Sequence, residues 1–174
     1  MPFAELDGFQ MIIPLPEAWF TEIGQVAVYW SHLEELADRL LYALLNHPGA
    51  AKAKSAFGYK GHLGIAFKRR MRLLRMVASE VVGVGGPQFE EFSNLIDKLS
   101  AYRGTRDTYI HGLWGIDRYD LDDVAIRRRS LGKEFDSHPS VPVTVEQLRE
   151  FSRELSTLSL TIPRLGIKLG VWHT

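Results

Sequence analysis

The sequence contains no cysteine among its 174 residues. Disulfide bonds, thiolate metal sites and cysteine nucleophiles are therefore excluded, and a reducing cytoplasm is the expected location. No apolar run approaches the roughly 20 residues that span a bilayer. No lysine or arginine precedes the short apolar patch near the N-terminus, so a signal peptide is not expected either. The sequence thus predicts a cytoplasmic protein with no role in a membrane.

The chain also lacks an excess of charge of either sign. Lysine and arginine number 21, and aspartate and glutamate number 21, so bulk charge gives no reason to expect indiscriminate binding to nucleic acid or membranes. The hydrophobic share of 45% is typical of a folded globular domain, and the length fits one domain covering 1–174. The histidines other than His111 (His32, His47, His62, His138 and His173) show no metal-ligand spacing with one another. No metal or other cofactor is therefore expected.

Apolar residues recur at spacings of three and four in four long segments, which predicts four helices. Gly112 is expected to cap the third helix at its C-terminal end. Thr144 and Gln147 fit the capping-box pattern at the start of the fourth, and Pro163 is expected to end or kink it. The predicted helices run from about Glu17 to Leu44, His62 to Val82, Pro87 to His111 and Thr144 to Leu160.

A stretch of different character follows the third predicted helix. Gly112–Tyr119 and Val124–Arg129 flank an aspartate-rich segment, which predicts a short β-hairpin whose turn contains Asp120, Asp122 and Asp123. Long helices with short connections favour antiparallel packing. The predicted fold class is therefore mainly α, an antiparallel four- to five-helix bundle with a small β-hairpin insertion at about 113–129.

Two arginines interrupt the apolar stripe of the third predicted helix. Steps of three and four residues from Phe89 along that helix lead to Arg103 and Arg106, positions that the pattern reserves for the core. Burying a guanidinium without a partner is costly, so both side chains should meet a carboxylate, a partner chain or a polar cleft. Glu34, on the apolar stripe of the first predicted helix, is a candidate carboxylate.

Asp107 and His111 complete this polar stretch. Asp107 lies four residues after Arg103 and four before His111, so its carboxylate could hydrogen-bond the imidazole and fix its tautomer. Arg106 and His111 are about 140° apart around an ideal helix, so they are expected to flank a groove rather than touch. A structural alternative remains for these residues: an ion pair, plus a histidine that interacts favourably with the helix dipole.

Residues 102–112, which read Tyr-Arg-Gly-Thr-Arg-Asp-Thr-Tyr-Ile-His-Gly, resemble the signature of the HEPN superfamily of helical-bundle domains. Members carry an arginine, a polar residue and, a few positions later, a histidine on a late helix. Arg106, Asp107 and His111 match that pattern. The segment Trp30–Glu34 and Trp114 are also similar to prokaryotic members. The resemblance covers roughly residues 17–160.

This resemblance implies a metal-independent endoribonuclease that acts as a homodimer, with both copies of the motif in one cleft. His111 would move the proton of a ribose 2′-OH, Arg106 would stabilise charge on the phosphate, and Asp107 would orient the histidine. Arg103 and Glu34 would support them, although a buried bridge between two helices explains that pair equally well. A toxin or phage-defence setting, with an antitoxin or another regulatory protein as partner, is implied in the same way.

Two positions depart from the family pattern. Asp107 stands where asparagine is common, and an aspartate there is expected to hold His111 more cationic, favouring an acid over a base. Leu113 stands where a branch paired with nucleotidyltransferases carries a tyrosine. The chain is therefore not assigned to that branch.

No acidic residue occurs between Lys52 and Ser79, although that window is rich in lysine, arginine and aromatic residues. Cations near aromatics suit a single-stranded nucleic-acid backbone with bases that can stack. A solvated helix face is the alternative. The residues predicted to contact RNA are Lys60, Lys68, Arg69 and Arg72. A second basic run, Arg127–Arg129, is expected to blunt a sheet edge.

Other functions remain open at this stage. One is a non-catalytic module that uses the same stretch for dimerisation or for binding a nucleotide, RNA or protein, which the neutral net charge favours. Another is an unrelated bundle with a chance motif, in which Arg106 and His111 would point into different surroundings. Retention of both residues favours the enzyme.

Overall fold

The computed structural model describes residues 5–6, 9–11, 15–56, 66–117, 120–127 and 141–172. In these ranges the helices are α1 (Glu17–Leu45), α2 (Ala51–Ala56), α3 (Phe67–Val82), α4 (Pro87–His111) and α5 (Val145–Lys168), and a 3-10 turn at Pro48–Ala50 precedes α2. The strands are β1 (Glu5–Leu6), β2 (Phe9–Met11), β3 (Leu113–Asp117), β4 (Asp120–Arg127) and β5 (Val141–Pro142). The predicted mainly α-helical bundle is confirmed. None of the helices in this part of the chain is long and apolar enough to cross a membrane.

The strands form one antiparallel sheet in the order β1-β2-β3-β4-β5. The predicted hairpin corresponds to β3 and β4, but the prediction that Asp120, Asp122 and Asp123 form its turn is wrong. All three lie within β4, and Asp120 pairs with Asp117. Because the backbone pairing of β3 with β4 extends to Asp117 and Asp120, the aspartates belong to the strand and not to a turn. Arg128 and Arg129 of the basic run lie outside the described residues.

The chain divides into two compact units. The first unit contains Met1–Trp30 and Arg103–Leu155, and the second contains Ser31–Tyr102 and Ser156–Thr174. The first unit has a small core, in which Val143 and Leu148 are buried and several partly buried side chains pack against them. Those side chains are Trp19, Ile23, Tyr109 and Trp114.

The second unit is built from helices around a larger apolar core. The stripe predicted for α1 is confirmed there, because Leu33, Leu40 and Leu44 are at most 1% exposed. Burial of a leucine or phenylalanine of this kind contributes about 1.5–3 kcal/mol. Its other fully buried large side chains are Leu73, Leu74, Phe92 and Leu99. Gly83 and Gly85 adopt positive φ in the turn between α3 and α4, which explains the glycine-rich sequence at that point.

The ends of α5 show one prediction confirmed and one overturned. The Thr144 N–H donates to Gln147 Oε1 (2.8 Å) and the Gln147 N–H donates to Thr144 Oγ1 (3.1 Å), which is the predicted capping box. The prediction that the helix stops near Leu160 is wrong, since α5 continues to Lys168 with Pro163 inside it. Ile162 and Leu165 are buried on either side of the proline. Their packing outweighs the roughly 3 kcal/mol that an internal proline costs.

The predicted and observed helices also differ in two ways in the segment before α3. The short helix α2 was not expected, because the predicted pattern has only a glycine-rich basic segment there. The second predicted helix starts at about His62, and the described part of α3 begins at Phe67 after Ala66. Residues 57–65 lie outside the described ranges.

A buried carboxylate in the first unit has a single arginine partner. Glu22 on α1 is 6% exposed, and Arg149 Nε on α5 donates to its Oε1 at 3.0 Å. Arg149 also donates to the exposed Glu146 at 2.8 Å. The pKa of Arg149 is raised by its hydrogen bond to Glu22 and by the charges of Glu146 and Glu22. Sequence patterns did not indicate this pair.

We expect Arg149→Met to lower the urea midpoint of unfolding several times more than Glu146→Gln does. The first change leaves Glu22 buried without a countercharge, whereas the second removes an exposed ion pair of small value. The double variant Glu22→Met/Arg149→Met should recover most of the loss, because no unpaired charge remains buried. Equal midpoints for the two single variants would show that Glu22 does not depend on Arg149.

Candidate active site

The polar stretch predicted from the sequence lies at the C-terminal end of α4, in the first unit. The helix stays α-helical to its last residue, because the Gly112 N–H donates to the Thr108 carbonyl oxygen at 2.9 Å. The chain then enters β3, and Trp114 Nε1 donates to the carbonyl oxygen of Tyr109 at 3.1 Å. This hydrogen bond ties the start of β3 back to the last turn of α4, which fixes the backbone that carries the motif.

Aromatic packing supports the same helix end. The Trp114 ring lies 5.8 Å from Trp19 and 6.4 Å from Tyr109, between centroids. Tyr109 meets Phe151 edge to face at 5.5 Å. Such contacts contribute beyond the apolar area that they bury. Burial raises the pKa of Tyr109, which keeps its hydroxyl neutral in the cluster.

Arg106 is the best-anchored charged residue of the stretch. Its guanidinium carbon lies 5.7 Å from the ring centroid of Trp30, within the range of a cation–π interaction. Nη1 donates to Asp107 Oδ1 at 2.8 Å, and Nε is buried without a partner. Within the described residues Nη2 makes no hydrogen bond, and the side chain is 25% exposed. Arg106 is therefore held in place while its Nη2 can still donate hydrogen bonds to a bound molecule.

Arg106 and His111 lie in contact. Arg106 Nη1 is 3.4 Å from His111 Nε2, so the prediction that the two side chains flank a groove without touching is wrong. The helix does not loosen to allow this, since Gly112 still bonds to Thr108. The long arginine side chain instead reaches along the helix to the imidazole of the last residue. The chance-motif alternative expected the two side chains to point into different surroundings, and this contact does not agree with that expectation.

The contact relates the imidazole to a permanent cation. An arginine N–H can only donate, so a hydrogen bond across this 3.4 Å contact requires Nε2 to be the unprotonated ring nitrogen of His111. His111 is exposed, so a bound molecule can approach its ring. Asp107, from which an acid role of His111 was expected, pairs with Arg106 instead.

Asp107 does not hold His111 as predicted. Its carboxylate bonds to Arg106 through Oδ1 and lies 3.4 Å from Arg103 Nε through Oδ2. The short aspartate side chain is occupied by the two guanidinium groups, so the partner it orients is Arg106. The expectation that both stripe arginines meet a carboxylate is confirmed, with Asp107 as that carboxylate.

The predicted role of Glu34 is not supported by its contacts. Glu34 lies in the second unit, where Arg70 Nη2 donates to its Oε1 at 3.1 Å. Arg70 Nη1 also donates to Asp38 Oδ2 at 2.6 Å, one turn further along α1. Glu34 is therefore paired with Arg70 inside the second unit. The sequence stripe could not reveal this, because Arg70 competes for the same carboxylate from α3.

The basic residues between Lys52 and Ser79 fall into two groups, arginines that form ion pairs and cations that are exposed. Arg70 is held by two carboxylates and Arg75 by Asp97 at 2.5 Å, so these two arginines serve the second unit's own structure. Three of the residues predicted to contact RNA, Lys68, Arg69 and Arg72, are exposed along α3. The fourth, Lys60, lies outside the described residues.

Together, the end of α4 offers one proton acceptor, one arginine with available donors and one carboxylate that holds the arginine. The sequence identified these three residues, and the structure adds the buried Trp30, which lies against Arg106. The signal that could have identified its role is the helical stripe itself, which places a tryptophan with a π face among positions expected to be buried. Among the described residues, no group of three or more histidine, aspartate or glutamate side chains is arranged to hold a metal ion.

The chain was compared with protein-family models, with curated proteins and with solved structures, and none of these matches it. Roles for Arg106, Asp107 and His111 therefore come from the motif in the sequence and from the contacts at the end of α4.

Proposed function

We propose that this protein is a metal-independent endoribonuclease of the HEPN type that cleaves RNA through attack of a ribose 2′-OH on the neighbouring phosphate. One observation carries the proposal, the contact of Arg106 Nη1 with His111 Nε2 at 3.4 Å. It places an imidazole nitrogen next to a guanidinium, and these are the two groups that such a reaction requires.

In the proposed reaction, the imidazole of His111 takes the proton of the 2′-OH as that oxygen attacks phosphorus. The bond between phosphorus and the 5′-oxygen of the next nucleotide breaks, and the imidazolium returns the proton to that leaving oxygen. The products are a 2′,3′-cyclic phosphate and a 5′-OH. Charge that develops on the non-bridging oxygens is stabilised by Arg106 through Nη2, which makes no hydrogen bond in the described chain.

Asp107 and Trp30 act as positioning residues for Arg106. Asp107 engages Nη1 at 2.8 Å and thereby directs the other terminal nitrogen outward. Trp30 lies against the guanidinium and restricts its tilt. Arg103 balances the second oxygen of Asp107, so that the carboxylate does not turn towards the phosphate. These three side chains together keep the guanidinium of Arg106 in a single orientation.

The resemblance to HEPN domains also supports a homodimer in which two copies of the α4 end share a cleft. It supports a toxin or phage-defence role and control by an antitoxin or another regulatory protein. The absence of cysteine fits a cytoplasmic location.

The reaction class is tested with an end-labelled, structured RNA pool in EDTA, compared with the same sequences carrying 2′-O-methyl groups. The parent protein is expected to cleave only the unmodified RNA and to leave 2′,3′-cyclic phosphate ends. Cleavage of the methylated pool, or products with 3′-OH ends, would overturn the proposal because neither can arise from 2′-OH attack.

We expect the exposed cations of α3 to contribute to RNA affinity through phosphate contacts. Replacing Lys68, Arg69 and Arg72 together by glutamine should weaken RNA binding at least tenfold at low salt. The slope of log affinity against log salt should fall by about 0.7 for each lost contact with single-stranded RNA. Fluorescence anisotropy with labelled RNA measures both quantities.

A matched variant for this test replaces two lysines and an arginine that are exposed outside the Lys52–Ser79 window, Lys98, Lys168 and Arg164. It makes the same change in net charge away from α3. If both triple variants lose the same affinity and slope, the effect is one of overall charge and α3 is not a contact surface.

A second candidate function is non-catalytic binding of a nucleotide or RNA phosphate. The observation that favours it is the pairing of Asp107 with Arg106 instead of His111, so that no carboxylate of the described residues orients the imidazole. In this case the parent protein binds RNA without cleaving it. Binding is then lost in Arg106→Ala and kept in His111→Ala, which distinguishes this function from the nuclease.

A further inference from the structure

A pocket of about 690 Å³ lies in the second unit, remote in sequence from the α4 motif. Its walls come from α1, from Arg70 near the start of α3 and from the residues that follow α5. This volume falls in the range of pockets that bind small organic molecules. Two aromatic side chains line it, Tyr42, which is 58% exposed, and the partly buried Trp172.

The charged groups of the pocket do not balance. Three carboxylates, those of Glu34, Glu35 and Asp38, face two guanidiniums, those of Arg39 and Arg70. Each arginine contact uses only one oxygen of a carboxylate: Oε1 of Glu34, Oε1 of Glu35 and Oδ2 of Asp38. The other oxygen of Asp38 is buried without a hydrogen-bond partner. Within the described residues, the second oxygens of the two glutamates are also unpaired, so the pocket has acceptors in excess and a net negative charge.

One wall of the pocket is set by two glycines. The Trp172 N–H donates to the Gly166 carbonyl oxygen at 3.1 Å, and Gly170 at φ 69° turns the chain back after α5. The indole then lies directly on Gly166, where an added Cβ would come within 2.6 Å of its ring atoms. Glycine near the end of a helix weakens that helix relative to alanine. At position 166, however, a larger residue would collide with the indole, so the glycine allows Trp172 to pack where it does.

We propose that this pocket binds a small organic molecule with a primary ammonium group and an apolar or aromatic body. The ammonium has three N–H donors and no acceptor, which suits the unpaired oxygens of Glu34 and Glu35. Tyr42 and Trp172 line the same pocket, and aromatic rings favour a nearby cation and provide apolar surface for the body of the ligand. An anion is disfavoured by the excess of carboxylates.

The test uses isothermal titration calorimetry with phenethylammonium, with 2-phenylethanol as its neutral analogue and with 3-phenylpropionate as an anion. Phenethylammonium should bind at least tenfold more tightly than the alcohol, and the anion should not bind. A second amine, Nα-acetyl-lysine amide, represents a lysine side chain of a peptide. If it binds more tightly than phenethylammonium, the ammonium of the ligand belongs to a peptide side chain. If it binds more weakly, the ligand is a free amine.

Three variants locate the binding. Glu35→Gln, at an exposed position, should weaken phenethylammonium binding three- to tenfold without harm to folding. Trp172→Ala and Gly166→Ala should weaken it as much or more, the second by displacing the indole while retaining it. Glu154→Gln, an exposed carboxylate on α5 outside the pocket, should bind as the parent does. Circular dichroism confirms that each variant is folded.

Equal affinity for the ammonium and the alcohol would overturn the proposal, as would absence of binding by both amines. Unchanged binding by Glu35→Gln and Trp172→Ala would overturn it as well. The titration is repeated with His111→Ala, which is expected to bind like the parent because His111 does not line the pocket. The outcome is therefore independent of whether the protein cleaves RNA.

Discussion

Alanine in place of His111 is expected to lower the rate of RNA cleavage by about a thousandfold, within the 10²–10⁴ range that positioned proton transfer contributes. The imidazole is exposed at the last residue of α4, and its Nε2 lies 3.4 Å from Arg106 Nη1. Removal of the side chain takes away the group that, in the proposed reaction, accepts the 2′-OH proton and returns it to the leaving oxygen. The measurement is the single-turnover cleavage rate of a labelled RNA in EDTA.

Because His111 is solvent-exposed, its replacement should leave the fold intact, and the urea midpoint should stay close to that of the parent. The matched control is His32→Ala, which removes another exposed histidine from a helix. That variant should cleave within about twofold of the parent rate, as expected for a surface substitution away from the reacting groups. If His111→Ala kept more than a tenth of the parent rate, the histidine would not be the proton carrier.

Arg106→Ala is expected to lower the cleavage rate by about 10²–10³-fold, the usual effect of removing one group that stabilises charge in a transition state. Arg106→Lys should recover little of this loss. Lysine keeps the charge but loses the planar fork that lies against Trp30 and bonds to Asp107. The effect should fall on the rate of the chemical step more than on RNA affinity, which separates it from the effect of the α3 cations.

Arg164→Ala is the matched control, since Arg164 is an exposed arginine on α5. It should cleave at the parent rate. Full activity in Arg106→Lys would contradict the account, because a simple positive charge would then suffice and the geometry set by Trp30 and Asp107 would have no role.

Much of the helical structure could be predicted from local sequence. The bounds of α1 and α4 follow from apolar spacing and from the prolines and glycines beside them. The start of α5 follows from its capping box. The short strands β1, β2 and β5 could not be predicted, since two or three residues carry no periodicity and form strands only by pairing within the sheet.

The site could be predicted in part. The sequence placed Arg106, Asp107 and His111 on one helix end, but it could not choose among the side-chain conformations that decide which groups meet. Arg103 and Arg106 both meet Asp107, and Arg70 meets Glu34, so the pairings depend on which side chains reach each carboxylate. Such choices depend on packing between elements far apart in the chain, which spacing along one helix does not describe.

The central claim is that the contact between Arg106 and His111 performs RNA cleavage without a metal ion. It is tested most directly by measuring cleavage of a labelled, structured RNA pool in EDTA by the parent, His111→Ala, Arg106→Ala, His32→Ala and Arg164→Ala. The account predicts cleavage to cyclic-phosphate ends by the parent and the two controls, and its loss in the other two folded variants. Equal cleavage by all five proteins would contradict it, because the activity would then belong to another site or to a contaminant.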